Sequence, residues 1–277
     1  MNRRIDKVKI GVYPFKSTGA IEENLSVITK AVTLGSQVGV RLMVFHECAL
    51  CGYPPLETQI EQVTKEKIEN ALQKVSSLAK QHQMFLAVGT IRFEEEKRFN
   101  SIILFDYRGN RRDIYDKTAL WGWDCSNYSR GEKPGVFEID GIKIGFRICF
   151  DVRFPESFRE LYQENVDLCF VSFSDTNKYE NPTRYSLITS FLSTRAMENL
   201  MTIVSVNSLS QFPTAPTAVF DQNGTILRET PLGEERLLTY DYQPFETSFG
   251  IEGRRVNNQY FLKKLGGLSS RNNFTQK

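Results

Sequence analysis

Ile142-Lys143-Ile144-Gly145-Phe146-Arg147-Ile148-Cys149-Phe150-Asp151-Val152-Arg153-Phe154-Pro155-Glu156 holds a strand, a turn and the start of a helix in one short stretch. Ile142, Ile144, Phe146 and Ile148 fall on one face of an extended chain, and Lys143, Gly145, Arg147 and Cys149 fall on the other, the period-two pattern of a β-strand. Proline is tolerated in the first turn of a helix, where its missing N–H costs nothing, so a helix is predicted from Pro155 to about Glu164. Cys149 thus ends a strand on a strand-to-helix turn, exposed at a sheet edge, with backbone N–H groups nearby that lack intrahelical partners. Such a turn suits a nucleophile whose developing oxyanion needs donors. The alternative is a small buried hydrophobe, which is what most free cysteines are.

Strand and helix alternate on both sides of this stretch. Val8–Tyr13 reads as a short strand and Ile21–Gln37 as a helix, with Ile21, Leu25, Ile28 and Val32 on one stripe. Val40–Phe45 is almost continuously apolar, the mark of a strand covered on both faces. A second helix is predicted from about Glu57 to Gln81, with Ile60, Val63, Ile68, Ala71, Leu72, Val75, Leu78 and Ala79 as its buried stripe. Phe85–Phe93 and Ser101–Asp106 read as paired strands, the second ending in a turn at Arg108-Gly109-Asn110. Val166–Ser172 reads as a strand, Tyr185–Asn199 as a helix and Met201–Val206 as a strand. Asn223-Gly224 then marks a hairpin turn. No linker, repeat or low-complexity tract interrupts the series, so the expectation is one α/β domain over residues 1–277. Beyond about Thr247 the periodicity fades, and this tail is expected either to pack on a partner subunit or to be loosely ordered.

Composition excludes several classes. A chain of 277 residues, 40% hydrophobic and 25% charged, can bury a core without disulfides or a structural metal. Its net charge of +2 is spread without a basic patch, so neither nucleic acid nor an anionic membrane is expected as partner. No run approaches the roughly 18 apolar residues of a membrane span. The N-terminus, Met-Asn-Arg-Arg-Ile-Asp, is charged and has no signal-peptide core behind it. Five irregularly spaced cysteines suit reduced thiols in the cytoplasm better than a disulfide framework. The two histidines, His46 and His82, are too few for most zinc hydrolases, and no G-x-S-x-G or H-E-x-x-H occurs. No G-x-G-x-x-G or P-loop follows a strand either. No metal or cofactor is therefore expected, and a hydrolase built on this chain would take its base from something other than histidine.

Two more segments place a reactive residue beside a strand end. Leu42-Met43-Val44-Phe45-His46-Glu47 puts a carboxylate directly after a buried strand, which is costly unless it is paired or protonated. Read alone, Glu47 equally fits a loop cap or a surface ion pair. Lys117, in Tyr115-Asp116-Lys117-Thr118-Ala119-Leu120-Trp121-Gly122-Trp123-Asp124, read alone fits an exposed loop lysine.

Together the three segments resemble the nitrilase superfamily of carbon–nitrogen hydrolases. Phe45 to Pro55 is similar to that family's glutamate motif, which usually has proline before the Glu and Gly-Tyr-Pro-Pro behind it. Asp116-Lys117-Thr118 resembles the lysine motif, and Cys149 to Glu156 the cysteine motif C-x-D-x-R-F-P-E. Asn100-Ser101, Arg195-Ala196-Met197-Glu198-Asn199 and Phe249-Gly250-Ile251-Glu252-Gly253-Arg254 add weaker matches, so the resemblance spans about residues 8 to 255.

The resemblance implies a four-layer α-β-β-α sandwich and at least a homodimer. It implies Cys149 as nucleophile, Glu47 as general base, and Lys117 with the Phe150 backbone N–H as oxyanion donors. It implies a small amide substrate, an ω-amide or N-carbamoyl compound. Nitrile hydrolysis or acyl transfer by the same residues, or a non-catalytic binding protein that keeps the fold, are the alternatives. Missing membrane segments argue against lipoprotein acyl transfer, and a missing ATP-pyrophosphatase half against an NAD synthetase glutaminase.

Two positions depart from the pattern. Many members carry a second glutamate seven or eight residues after the lysine; here Asp124 and Cys125 stand there. Asp124 either substitutes with a shorter side chain or pairs with Arg130 or Lys133. His46 replaces the usual proline and either tunes Glu47 or fills space. Arg153, Tyr53 and Trp121 are candidate substrate contacts, Arg153 through its planar fork, although a structural role for it fits equally. Cys48-Ala49-Leu50-Cys51 has CxxC spacing but no second ligand pair, and packing is its simpler reading. Arg195 and Glu198 read as helix packing or subunit contacts, and Cys125 and Cys169 carry no legible role. Loops 118–133, 173–184 and 207–217 carry no decodable signature.

Overall fold

A computed structural model describes residues 7–244 and 248–269, so the charged N-terminus, Thr247 and the last residues of the tail lie outside the described residues. Strands buried on both faces form its centre. β1 (Val8–Val12), β2 (Leu42–Val44) and β3 (Phe85–Glu94) run parallel, Ile10 opposite Leu42 and Leu42 opposite Phe85. β14 (Leu238–Tyr242) lies antiparallel to β1 at one edge, while β4 (Lys97–Phe105) and β5 (Arg111–Asp116) extend the other. A second sheet repeats the plan. β7 (Ile142–Ile148), β8 (Leu168–Phe173) and β10 (Thr202–Asn207) are parallel, with β6 (Val136–Ile139) antiparallel on one side. β12 (Ala218–Phe220) and β13 (Ile226–Glu229) continue it on the other, and β9 (Thr176–Asn177) pairs separately with β11 (Phe212–Pro213).

Side-chain alternation stacks these sheets face to face. Ile10, Val12, Leu42 and Val44 from the first meet Ile144, Phe146, Ile148, Leu168 and Phe170 from the second in one apolar core. On the outer face of the first sheet Met43, Leu86 and Val88 pack against Ile28 and Val32 of α1 (Ile21–Gln37) and Leu72 and Val75 of α2 (Lys65–Gln81). On the outer face of the second, Cys169, Val171 and Ile203 meet Phe158 and Leu161 of α4 (Pro155–Gln163) and Ile188 and Leu192 of α5 (Pro182–Asn199). The order is helix, sheet, sheet, helix, the expected α-β-β-α sandwich. Between β5 and β6 lies one short helical turn, α3 (Asp124–Asn127).

The second helix begins later than its apolar stripe predicts. Thr64 caps α2 by accepting from the backbone N–H of Lys67, so regular helix starts at Lys65 rather than Glu57. Ile60 and Val63 are buried all the same, in a 3₁₀ turn and the bend after it, which is why the stripe looked continuous. The polar edge strand β5 carried too little alternation to be read. Residues Met1–Gln243 form one compact unit and Pro244–Lys277 a second. In the second unit, where periodicity fades, Phe249–Ser269 is a helix, α6, with an Arg255–Glu252 pair at 2.9 Å along it. Gly250 and Gly253 dilute its pattern. No described helix is long and apolar enough to cross a membrane.

One glycine decides where the chain after β2 can go. Phe45 N–H donates to Ala87 O at 2.9 Å and Leu50 N–H to Gly89 O at 3.0 Å, so residues 45–50 lie along β3. A Cβ on Gly89 would overlap the His46 carbonyl oxygen and come within 3.0 Å of the Glu47 Cα. These are backbone atoms with no rotamer to escape into. Gly89→Ala is therefore expected to cost about 1–3 kcal/mol or more and to displace Glu47. Thermal unfolding measures this; a melting temperature equal to that of the parent protein would show that the crossing can relax freely.

Candidate active site

Three carboxylate or ammonium side chains meet beside the C-terminal ends of the strands. Glu47 and Lys117 are each 1% exposed and Asp124 is wholly buried. Lys117 Nζ donates to Glu47 Oε1 at 2.8 Å and to Asp124 Oδ2 at 2.7 Å. Glu47 Oε1 also accepts from Asn100 Nδ2 at 2.7 Å, and its Oε2 accepts from the Ser174 backbone N–H at 2.8 Å. Asp124 Oδ1 accepts from the Tyr53 hydroxyl at 2.7 Å. The shorter aspartate thus reaches Lys117 from α3, and neither Arg130 nor Lys133 pairs with it. Arg130 donates instead to the Thr118 carbonyl.

Cys149 opens onto the same space. Its φ of +45° lies in the left-handed region, uncommon for a residue with a side chain, and turns the chain sharply off β7 into a 3₁₀ turn over Cys149–Arg153. Phe150, second in that turn, has an N–H with no acceptor inside it. Asp151 fixes the turn. Its wholly buried carboxylate accepts from the Ile148 N–H at 2.8 Å, the Tyr115 hydroxyl at 2.7 Å, the Ala119 N–H at 2.7 Å and Thr118 Oγ1 at 3.1 Å. The residue two after the cysteine is therefore tied to the segment that carries Lys117.

Glu47, Lys117, Cys149, Phe150, Arg153, Tyr53 and Trp121 all line one cavity of about 120 Å³. Trp121 is half exposed at the rim, and the Tyr53 hydroxyl is committed to Asp124. Arg153 lies over the ring of Phe150, its guanidinium 5.3 Å from the centroid.

Burial and charge set the protonation states. Burial pushes the Glu47 carboxyl above its ordinary value, and the Lys117 ammonium only partly offsets this. Burial would lower the Lys117 pKa, but Glu47, Cys149 and Asp124 together hold it well above the usual lysine range. The Cys149 thiol is pushed well up, by burial first and then by Glu47. At neutral pH the resting cavity holds a fixed ammonium and a thiol.

The neighbours resolve several sequence readings. His46 is wholly buried with its ring 4.6 Å from that of Phe15; burial lowers its pKa to about 4, so it packs as a neutral ring. Cys48 and Cys51 are buried in the core under α1 and α2. Arg195 donates to the Val152 carbonyl at 3.0 Å and pairs with Glu198 at 2.8 Å, fastening α5 to the turn after Cys149. Sequence reading missed the roles of Asn100, Asp151 and Ser174. The first two sat inside quoted motifs, whereas Ser174 contributes only its backbone. Asp175, from the loop after β8, and Arg184, from the first turn of α5, also line the cavity.

The family profile described as carbon–nitrogen hydrolase matches residues 9–247. The chain is 26% identical to a glutamine-dependent NAD(+) synthetase of Aquifex aeolicus over 69% of its own length and 34% of that protein. It is 27% identical to an (R)-stereoselective amidase of Pseudomonas sp. over 60% of its own length and 58% of the amidase. The chain thus spans less than two thirds of either relative. The structure superposes on that of an amidase from Nesterenkonia sp. with a TM-score of 0.77 at 22% identity, covering 94% of this chain and 98% of that one.

Removing the ammonium would leave Glu47 and Asp124 buried with no counter-charge. Lys117→Met is expected to cost about 3–5 kcal/mol of stability, and adding Asp124→Asn to restore part of it. Denaturant unfolding of both variants measures this; a single variant as stable as the parent would show that Lys117 does not hold the two carboxylates in place.

Proposed function

Because this chain belongs to the carbon–nitrogen hydrolase family, we propose that it hydrolyses a non-peptide C–N bond in a small amide or N-carbamoyl compound through a thioester on Cys149. One observation carries the reading: a buried ammonium, hydrogen-bonded to two carboxylates, lines the same small cavity as a cysteine on a sharp strand-end turn.

The steps follow from the protonation states. The Cys149 sulfur attacks the carbonyl carbon while Glu47 takes the thiol proton, so the thiolate need not exist in advance. A base with a raised pKa suits this transfer near neutrality. Negative charge moves to the carbonyl oxygen, which Lys117 and the Phe150 N–H receive. A preorganised donor of this kind is worth on the order of 10²–10³ in rate. Asp124 keeps Lys117 charged and aimed, and Tyr53 keeps Asp124 in reach. The C–N bond then breaks, protonated Glu47 returns its proton to the nitrogen, and ammonia or an amine leaves. Water, deprotonated by Glu47, attacks the thioester; the C–S bond breaks, the carboxylic acid departs and Cys149 regains its proton. Arg153 and Trp121 contact the substrate in this reading. The enzyme works as a homodimer or larger assembly in the cytoplasm, a location supported by its unpaired cysteines.

Cys149→Ala is expected to unfold at the parent temperature yet release no ammonia from any amide the parent consumes. Mass spectrometry of the parent mixed with an amide panel is expected to find an acyl adduct on Cys149. Turnover that survives the substitution would remove the nucleophile assignment. The base must be ionised to accept a proton, so kcat/KM should fall as pH drops through a Glu47 pKa above the ordinary glutamate value of about 4.3. Glu47→Gln should abolish turnover. An acid limb lying at or below the ordinary value would remove Glu47 as base.

A further inference from the structure

The two cysteines that follow Glu47 take no part in the reaction, yet they are placed for chemistry of their own. Cys48-Ala49-Leu50-Cys51 forms a tight turn, in which the Cys51 N–H donates to the Cys48 carbonyl at 3.1 Å and the Gly52 N–H to the same oxygen at 2.8 Å. A four-residue turn closed in this way brings its end Cα atoms to under about 7 Å, and a disulfide spans roughly 4.4–6.8 Å. Cys48 opens the turn with a φ of +52°. Both cysteines are unpaired and wholly buried, and their thiols lie close enough to hydrogen-bond with each other.

One of the thiols is wired to the candidate base. Cys48 Sγ donates to Asn100 Oδ1 at 3.8 Å, and Asn100 Nδ2 donates to Glu47 Oε1 at 2.7 Å. The Asn100 carboxamide is wholly buried, and these two bonds decide which way it faces, oxygen to the thiol and nitrogen to the carboxylate. The other thiol is an acceptor: Cys51 Sγ receives the Thr90 hydroxyl at 3.9 Å. The hydrogen bond between the thiols pushes Cys48 up and Cys51 down from the usual cysteine value. Cys51 is therefore the more nucleophilic of the two, since the thiolate is the reactive form.

We infer that Cys48 and Cys51 are an oxidative modification site, a dithiol that hydrogen peroxide converts to a disulfide and that thereby weakens Glu47 as a base. The bond itself is independent of the amide-hydrolase reading, whereas its effect on turnover rests on that reading. Cys51 Sγ attacks one peroxide oxygen, the O–O bond breaks, the thiol proton leaves with the other oxygen as water, and a sulfenic acid remains. Cys48 Sγ then attacks that sulfur, the S–O bond breaks, and the hydroxyl departs with the Cys48 proton as a second water. The sulfurs give up one electron pair and the peroxide gains it. Peroxide is little larger than water, so a local opening of the turn admits it to the buried pair. The new bond removes the S–H that Asn100 Oδ1 accepts. Without that anchor the carboxamide is free to turn its oxygen toward Glu47, repelling the carboxylate in place of donating to it. A pair that served only as core packing would show neither the bond nor any influence on Glu47.

Cys149→Ala, which removes the competing nucleophile, is treated with hydrogen peroxide, denatured, labelled with N-ethylmaleimide and digested with trypsin. Leu42–Lys65 is one tryptic peptide, and Cys48 and Cys51 are its only cysteines. It is expected to appear unlabelled and lighter by a pair of hydrogen atoms, and to take a label at each cysteine after dithiothreitol. Turnover is read on protein that keeps Cys149. After the same dose the parent should lose about tenfold more kcat/KM than Cys51→Ala, the order of one hydrogen bond to a charged group, and the excess should return with dithiothreitol. Oxidation of Cys149 itself lowers both proteins alike and cancels in the comparison. Cys48→Ser keeps a donor for Asn100 and should resist peroxide as Cys51→Ala does. A peptide that takes both labels after a dose that oxidises Cys149 in the parent would overturn the modification site. A disulfide with equal losses in parent and Cys51→Ala would overturn its hold on Glu47. If no amide is hydrolysed, the hydrolase reading fails alone. Alkylation of Cys149 by iodoacetamide then reports Glu47, and it should be slower in the oxidised parent than in oxidised Cys51→Ala.

Discussion

A lysine ammonium buried between two carboxylates is the constraint on which the cavity depends. Taking an ion of this size out of water costs several kcal/mol, and only well-placed partners repay it. Lys117 has two, at 2.8 and 2.7 Å, and each of those has its second oxygen occupied, Glu47 by the Ser174 N–H and Asp124 by the Tyr53 hydroxyl. The cluster is therefore closed. Loss of any member leaves another stranded, which keeps the ammonium in one position.

That closure demands that distant segments arrive together, and a few polar fasteners between two apolar sheets accomplish it. The Ser172 hydroxyl donates to the Phe45 carbonyl at 2.9 Å, and the Ser174 N–H donates to Glu47, so the end of β8 is tied to the end of β2. Asp151 joins the turn after β7 to Tyr115, Thr118 and Ala119 around Lys117. Between these points the sheets meet mostly through Ile, Val, Leu and Phe. The hydrophobic core brings the sheets together without fixing their offset; the directional bonds at the strand ends supply the register. Parallel central strands in both sheets point their C-terminal ends to this region, where α/β folds commonly hold ligands.

The cavity divides its labour along the same lines. Its polar end carries the cysteine, the ammonium and the backbone of Phe150, all set by backbone turns or buried ion pairs. Its far wall carries two arginines, one paired and rigid, one resting on aromatic rings. That wall is built partly from the loop after β8, whose first residue, Ser174, also holds Glu47.

Much of this was legible in the sequence, and the reason is periodicity. Ile142–Ile148 alternates because one face lies between the sheets and the other under helices, and α1 has the bounds that its apolar stripe predicts. Glu47, Lys117 and Cys149 were identifiable because each sits at a strand end in a segment whose pattern resembles a known family. The start of α2, the polar strand β5 and α6 were not, since a cap, an exposed edge and a glycine-diluted face leave little periodic trace. The sequence, through its resemblance to the family's motifs, singled out Glu47, Lys117 and Cys149 as candidates. It did not settle that Asp124 pairs with Lys117 rather than Arg130, that Asp151 joins two loops, or that Arg184 lines the cavity of Cys149. Those outcomes depend on contacts between residues tens of positions apart, and such contacts exist only once desolvation and packing have forced the two sheets together.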